Sequence, residues 1–359
     1  MRVLFLTDGT KHTQSAIHRA RYFSEYLTDL GHDSTVFYGI EGTLLARRFN
    51  RAKLGSIVKC LLDLNKTDVL VIHRAADPLS GLLQTLASAS GVAVLFDMDD
   101  GVYLVKNALT SAARYLIKSS SAVTAASHAI AEFCLDQNSN VHLVPGQVDT
   151  HIFRVPNGRK SGGPPVIGWM GDGRVHGDNL KLVAGPLRDL ASRLPFKLKL
   201  VSALGNSEII GAFKPLEQNV QVDYGSPEWV DITAIPKQME DFDVSIMPLR
   251  DTPFNRAKAG QKLLESMAMG IPVIASPVGE NRYIVRDGEE GYLASSENEW
   301  RDCLELLIRD PELRLRMGAA GREKVERGHS REICGRLFSD AILSAVKRAR
   351  LGGRVSRIA

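Results

Sequence analysis

Lys262-Leu263-Leu264-Glu265-Ser266-Met267-Ala268-Met269-Gly270-Ile271-Pro272-Val273-Ile274-Ala275-Ser276 reads as a short helix, a glycine stop and a wholly apolar strand. At helical spacing Lys262, Glu265, Ser266 and Met269 share one stripe, while Leu263, Leu264, Met267 and Ala268 occupy the other side. Gly270 stands where a left-handed C-cap ends a helix, and Pro272 prevents its continuation. A cation near the helix start with a carboxylate one turn later suits a diphosphate and then a ribose. The same i,i+3 pair also fits an ordinary surface ion pair.

The alternation of apolar strand and amphipathic helix extends outward in both directions. Val3–Leu6, Thr35–Tyr38, Val69–His73, Val92–Phe96, Ala122–Ala125 and Val141–Val144 read as strands, and Gln14 to Leu30 carries apolar residues at helical spacing before Gly31. Around 152–165 the composition shifts to Pro, Gly, Ser, Arg and Lys, as in an interdomain linker. A second series follows at Val166–Met170, Lys197–Ser202, Val220–Tyr224, Val244–Pro248 and Pro272–Ala275. The expected fold class is α/β, with two Rossmann-like doubly wound domains facing across a cleft. The expected division is a first domain over 1–155, a linker over 156–165, a second domain over 166–335, and a C-terminal helix and basic tail over 336–359. From Val346 onward the tail is rich in Arg and Gly and reads as frayed. Ligands of such folds sit at the carboxyl ends of strands. That rule singles out Thr7–Thr10, His73-Arg74, Asp97–Gly101, Gly171–Gly177, Pro248–Ala259 and Ser276–Asn281.

Bulk properties agree. A chain of 359 residues with 44% apolar content can bury two ordinary cores, and 24% charged residues is usual for a folded soluble protein. A net charge of +4 is mild, so no nucleic-acid partner is expected. Cys60, Cys134, Cys303 and Cys334 lack metal-ligand spacing and read as reduced thiols of a cytoplasmic protein. No apolar run approaches membrane-spanning length, and Val3-Leu4-Phe5-Leu6 is too short for an export signal.

Several constellations carry chemistry. Gly171-Asp172-Gly173-Arg174-Val175-His176-Gly177 lies between a strand and a helix, where glycines let backbone N–H groups turn toward a phosphate and Arg174 adds charge. A flexible glycine-rich turn explains the same residues, and the stretch is neither a G-x-G-x-x-G nor a Walker A loop. Arg250, Arg256, Lys258 and Lys262 precede or open a helix and concentrate positive charge suited to a diphosphate. Asp97-Met98-Asp99-Asp100 offers carboxylates to bind a cation, orient sugar hydroxyls or act as a base. Gly9-Thr10-Lys11-His12-Thr13-Gln14-Ser15 is either a ligand contact or a helix cap, with Thr13 and Ser15 as capping candidates. His73 and His128 read as framework histidines, and no nucleophile elbow points to a hydrolase.

Together these ordered motifs resemble the nucleotide-sugar glycosyltransferases of the two-domain GT-B architecture, and more narrowly the family 4 retaining enzymes. The resemblance is carried by Asp243-Val244-Ser245-Ile246-Met247-Pro248-Leu249, the stretch from Lys262 to Ser276, Val278-Gly279-Glu280 and Asp287–Leu293. In the first domain Leu30-Gly31-His32-Asp33, Val36, Ala126-Ser127, Val144-Pro145, Val148-Asp149 and Phe153 fit the same framework. It implies that Glu265 holds the ribose hydroxyls of the sugar donor, with Lys262 beside it and the backbone near Gly279-Glu280 approaching the sugar or diphosphate. The expected donor-binding residues are Gly171, Gly173, Arg174, Arg256, Lys258, Lys262, Glu265, Gly279 and Glu280. The expected catalytic residues are Asp97, Asp99, Asp100, Lys262 and Glu265, with Gly9, Thr10, His12 and Gln14 on the acceptor side. Three departures stand out. Ala257 replaces a glutamate common eight positions before Glu265, Asp172 and Gly177 fall near positions usually held by Arg and Lys, and the Asp97–Asp100 cluster stands where a histidine is common. The metal-binding Asp-x-Asp of another transferase class belongs to one single domain, and the two-domain layout argues against it.

The resemblance implies transfer of a sugar from a nucleoside-diphosphate sugar to a hydroxyl of a glycan or lipid-linked acceptor, with retention of anomeric configuration. No cofactor or metal is expected. The alternative is a weak or inactive sugar-nucleotide-binding partner of another transferase, or a GT-B-like epimerase. Peripheral contact with the anionic inner face of a membrane is expected through Arg47, Arg48, Arg51 and Lys53 and through Lys347, Arg348, Arg350, Arg354 and Arg357 of the tail.

Overall fold

The computed structural model describes residues 1–39, 51–104, 108–156, 162–203, 206–225 and 232–355. It divides into two compact units, the first comprising Met1–Gln147, Ala257–Ala259 and Arg331–Ala359, the second Val148–Arg256 and Gly260–Ser330. Residues 157–161 of the expected linker, and Arg47, Arg48 and Arg357 of the expected membrane-facing set, lie outside the described residues.

The first unit contains strands β1 (Arg2–Thr7), β2 (Asp33–Tyr38), β3 (Val69–His73), β4 (Ala93–Met98), β5 (Ala122–Ala125) and β6 (Val141–Leu143). Its sheet is parallel with order β2-β1-β3-β4-β5-β6. Helices α1 (Tyr22–Asp29), α2 (Arg51–Asp63), α3 (Pro78–Ala89), α4 (Ala108–Ser119) and α5 (His128–Leu135) connect the strands. Alternate residues of each strand serve different cores. Leu4, Leu6, Leu70 and Ile72 pack with Ile57, Leu83 and Leu116, whereas Val3, Phe5, Val69 and Val71 pack with Phe23 and Leu27 of α1. This two-sided burial is why the strands read as continuous apolar runs.

The second unit repeats the plan with β7 (Val166–Met170), β8 (Lys197–Val201), β9 (Gln221–Asp223), β10 (Val244–Met247), β11 (Val273–Ala275) and β12 (Gly291–Leu293), in parallel order β12-β11-β10-β7-β8-β9. Its helices are α6 (Gly173–Leu180), α7 (Ala184–Ala191), α8 (Ser207–Phe213), α9 (Ala234–Met239), α10 (Pro253–Arg256), α11 (Gln261–Ala268), α12 (Asn281–Ile284), α13 (Glu297–Arg309) and α14 (Pro311–Gly328). Each unit is a doubly wound α/β layer structure, as the alternation indicates.

The last described helix, α15 (Arg331–Val355), belongs to the first unit and places Phe338, Ala341, Ile342 and Ala345 in the same core as Phe5 and Phe23. The reading of the tail as frayed is therefore corrected up to Val355. Phe338 stacks on Phe23 at 4.1 Å between ring centroids, and Val346 and Ala349 still pack against that core. The intervening arginines obscure this periodicity in the sequence.

The stretch from Lys262 to Ser276 forms α11, its cap and β11. Gly270 has φ 66°, its N–H donates to Met267 O at 2.9 Å, and the Ile271 N–H donates to Ser266 O at 3.0 Å. These paired bonds are the helix stop expected of a C-terminal glycine. The polar stripe is not a solvent face, however. Glu265 and Ser266 are buried, and the Ser266 hydroxyl donates to Ser245 Oγ on β10 at 2.8 Å.

In each sheet the strand order reverses once, between β1 and β3 and between β7 and β10. A crevice opens outside the carboxyl ends of strands at such a reversal.

Candidate functional site

At the second unit's reversal, the loops after β7, β10 and β11 are tied into one rim. Asn179 of α6 accepts from the Arg250 N–H at 2.9 Å and from Asn255 Nδ2 at 3.1 Å through the same oxygen. Asn255 also donates to Arg250 O at 2.8 Å. Ser276, after β11, accepts the Leu249 N–H at 2.9 Å. Gly279 presses so closely on α10 that a Cβ there would lie 2.3 Å from Arg256 O, with φ 53° adding a second reason for glycine. Gly260 opens α11 at φ 69° against Ile284 of α12, where an added Cβ would meet the side chain at 2.2 Å. Asn179, Asn255 and Ser276 give no motif signal, because they act on partners 71, 76 and 27 residues away.

The expected cations of this unit are held by carboxylates. Arg174 makes a bidentate pair with Asp172 at 3.0 and 2.8 Å, and its hydrogen bonds hold that carboxyl below the usual range. Asp172 also caps α6 by accepting the Arg174 N–H. Arg256 pairs in the same bidentate way with Asp251, whose carboxyl it likewise lowers. Both pairs are solvent-exposed. Lys262 differs, because its ammonium lies 2.8 Å from Glu265, a carboxylate with no solvent exposure. This is not the exposed i,i+3 pair that spacing alone also permits. Gly171 and Gly173 have steric reasons to be glycine, since a Cβ would meet Trp169 or Ser202 O at 2.6 Å. Glu280 is buried beside Asn281, whose Nδ2 donates to Ser276 O at 2.9 Å. Lys258 falls in the three-residue passage 257–259 that belongs to the first unit, where Ala257 joins the apolar core.

The first unit's reversal gathers a different set. Asp97 is sealed against Arg19, with side chains 1% and 2% exposed and bonds of 3.1 and 2.5 Å. Thr124 donates to Asp97 at 2.6 Å, and Arg19 continues to Val144 O at 2.7 Å and Pro145 O at 3.1 Å. Asp99 is nearer solvent. Ser15 donates to it, His73 Nε2 lies 3.5 Å away, and Arg74 lies 3.5 Å away on the same oxygen. Burial would push the Asp99 carboxyl up, but Arg74, His73 and Ser15 more than offset it and hold it far below the usual carboxylate range. Asp100 sits 3.8 Å from Arg74. His73 is fully buried between Thr7 Oγ1 at 2.7 Å and Ser15 Oγ at 3.1 Å. Arg74 adopts φ 55°, a left-handed conformation that a non-glycine residue tolerates at a cost of about 1–3 kcal/mol.

The loop after β1 corrects one expectation. Ser15 does not cap the helix; its hydroxyl joins His73 and Asp99 instead. Thr13 Oγ1 accepts the Thr10 N–H at 2.9 Å, folding the loop back over Gly9. His12 is exposed, and Gln14 presents buried amide atoms without a hydrogen-bond partner. Arg19 and Thr124, which bond Asp97, and Ser15, which bonds Asp99, escape a sequence reading because these pairings are set by topology, not by spacing.

Known proteins resemble both the chain and its architecture. The Anabaena HepE structure in complex with UDP superposes with a TM-score of 0.73 at 14% identity, covering 96% of this chain and 100% of that one. Sucrose-phosphate synthase from Thermosynechococcus elongatus gives 0.69 at 16% identity over the whole of both chains. This is the GT-B glycosyltransferase fold. Residues 164–310 match the family model described as glycosyl transferases group 1. Within this GT-B chain, 70 residues are 44% identical to a phosphatidyl-myo-inositol mannosyltransferase of Mycobacterium leprae, covering 19% of each protein. A D-inositol 3-phosphate glycosyltransferase of Nocardia farcinica is 30% identical over 141 residues, 38% of this chain and 27% of the relative. The matched stretches thus span under a third of those relatives' length.

Proposed function

We propose that the chain transfers a glycosyl group from a nucleoside-diphosphate sugar to a hydroxyl of a glycan or lipid-linked acceptor, with retention of anomeric configuration. The observation that supports this most is the Lys262–Glu265 pair near the start of α11, its carboxylate without solvent exposure, which adjoins the rim after β7, β10 and β11. As the diphosphate leaves, its charge grows while the sugar gains oxocarbenium character. Lys262 and the positive end of the α11 dipole offset the growing negative charge. Glu265, acceptor-only and shielded from water, exchanges Lys262 for the ribose hydroxyls when the sugar donor enters. Arg174 and Arg256 exchange their exposed carboxylates for the diphosphate, at little cost because exposed ion pairs contribute little. With that much positive charge supplied, the reading calls for no further cofactor.

The first unit supplies the acceptor side. Asp97 is saturated by Arg19 and Thr124, so its role is to position β4 and Asp99. Asp99, held ionised, stabilises positive charge or accepts a hydroxyl proton in a hydrogen bond; so acidic a group is a poor proton shuttle. Gly9, Thr10, His12 and Gln14 shape the same end of β1. Among the described residues no helix is long and apolar enough to cross a membrane.

The test is thermal stabilisation by a panel of nucleoside diphosphates and their sugars, with wild type and Glu265→Gln, followed by NMR of the transfer product. The expected result is stabilisation by one nucleotide series, weakened in the variant, and a product with the anomeric configuration of the sugar donor. Stabilisation without transfer to any acceptor would favour a binding partner of another transferase. Absence of stabilisation by every nucleotide would reject the donor site.

A further inference from the structure

We propose that the outer surface of α2, α3 and α4 docks on an anionic lipid bilayer, with the helices lying in the interface. The three helices cover one face of the first unit's sheet and bury Ile57, Cys60, Leu83, Ala87, Ala113 and Leu116 in its core. Their outward faces are also apolar. Leu54, Val58 and Leu62 recur at helical spacing on α2, and Leu79, Leu82 and Leu86 do so on α3; Leu62 is 74% and Leu82 56% exposed. With Leu61 and Tyr115, these three helices carry eight of the seventeen large apolar side chains exposed among the described residues. The Tyr115 ring of α4 lies over Gly81 of α3, and its hydroxyl meets Thr85 Oγ1 at 2.6 Å, so the patch continues from one helix to the next. Scattered single exposed leucines need no explanation; stripes on neighbouring helices do.

Charge selects the occupant. Pro78–Ala89 contains no charged residue. Across α2, α3 and α4 the sequence has five cations, Arg51, Lys53, Lys59, Arg114 and Lys118, against one carboxylate, Asp63. Lys59, Arg114 and Lys118 are exposed. Leucine stripes flanked by Lys and Arg, with a tyrosine at the boundary, match helices that lie on a bilayer without crossing it. A second copy of the chain would bring like charges together. The surface is independent of the sugar-donor site, so vesicle binding and transfer can fail separately.

The experiment is flotation of the full chain with phosphatidylcholine vesicles, with and without phosphatidylglycerol, at low and high salt. Wild type is expected to float with the anionic vesicles and to be released by salt. Leu82→Asp with Leu86→Asp is expected to lose at least about tenfold in partitioning, and Lys59→Glu with Arg114→Glu and Lys118→Glu to lose the preference for anionic lipid. Leu82→Ser with Leu86→Ser, checked for an unchanged melting temperature, separates lost binding from lost folding. No flotation of wild type, or flotation indifferent to these changes, overturns the proposal. So does a concentration-dependent dimer that the leucine variants dissociate.

Discussion

In the first unit Arg19 and Asp97 are closed off together at 2% and 1% exposure, whereas in the second Arg174 holds Asp172 while remaining 87% exposed. Both are bidentate arginine–carboxylate pairs at the carboxyl ends of strands, yet they do opposite work. A sealed pair has exchanged water for each partner and tolerates the loss of neither. An exposed pair is balanced against water and can change partners for a ligand of higher charge. Lys262–Glu265 stands between these cases, with a carboxylate as buried as Asp97 and a cation still 23% exposed. A group of that kind suits a site that must be built before its ligand arrives and rearranged when it does.

The sharpest way to break the contrast is to remove one arginine from each pair. Arg19→Ala is expected to cost about 3–5 kcal/mol in urea unfolding, because Asp97 is left buried and charged. Equal losses from Arg19→Ala and Arg174→Ala would dissolve the distinction. Next in size, Asp99→Asn is expected to lower kcat about a hundredfold at every pH, with no displacement of the acidic limb of the pH profile. The stability sign follows from the depressed folded value. Asp99 contributes fully above its ordinary value of 3.8 and loses that contribution as pH falls toward the folded value. The wild-type advantage over Asp99→Asn should thus be flat above about pH 5 and shrink on acidification. An advantage that grows with acid would contradict the ionised assignment.

A smaller effect tests the stop after α11. Gly270→Ala places a side chain at φ 66° and 3.1 Å from Val155, and should cost about 1 kcal/mol or somewhat more. The smallest change in stability is expected from Arg174→Ala, under about 1 kcal/mol, accompanied by a several-fold weaker affinity for the nucleoside diphosphate. Unchanged affinity would remove Arg174 from the site and leave it as the partner of a helix cap.

What was legible depended on range. Gly270, Pro272 and the apolar strand act within a few residues, so the stop and β11 are readable from composition and spacing. Strands β1, β3, β5 and β11 were readable because burial on both faces leaves no polar alternation, whereas β12, Gly291-Tyr292-Leu293, follows the polar run Asp287–Glu290 and did not stand out. The acidic run Asp97–Asp100 marked the carboxyl end of β4, but not which carboxylate is available. That is decided by Arg19, 78 residues away, which saturates Asp97. Ser15 looked like a cap because capping is the local option; its actual partners arrive from β3 and from the loop after β4. The polar stripe of α11 misled in the same way, since amphipathic spacing cannot tell water from a buried serine on the next strand.

Hydrogen exchange of the full chain, with and without the nucleoside diphosphate that stabilises it best, tests the site assignment most directly. Protection is expected at Gly171–Asn179, Leu249–Arg256 and Gly260–Glu265, the carboxyl ends of β7 and β10 and the first turn of α11. Protection confined to His73–Gly101, with those segments unchanged, would contradict the assignment of the donor nucleotide to the second unit.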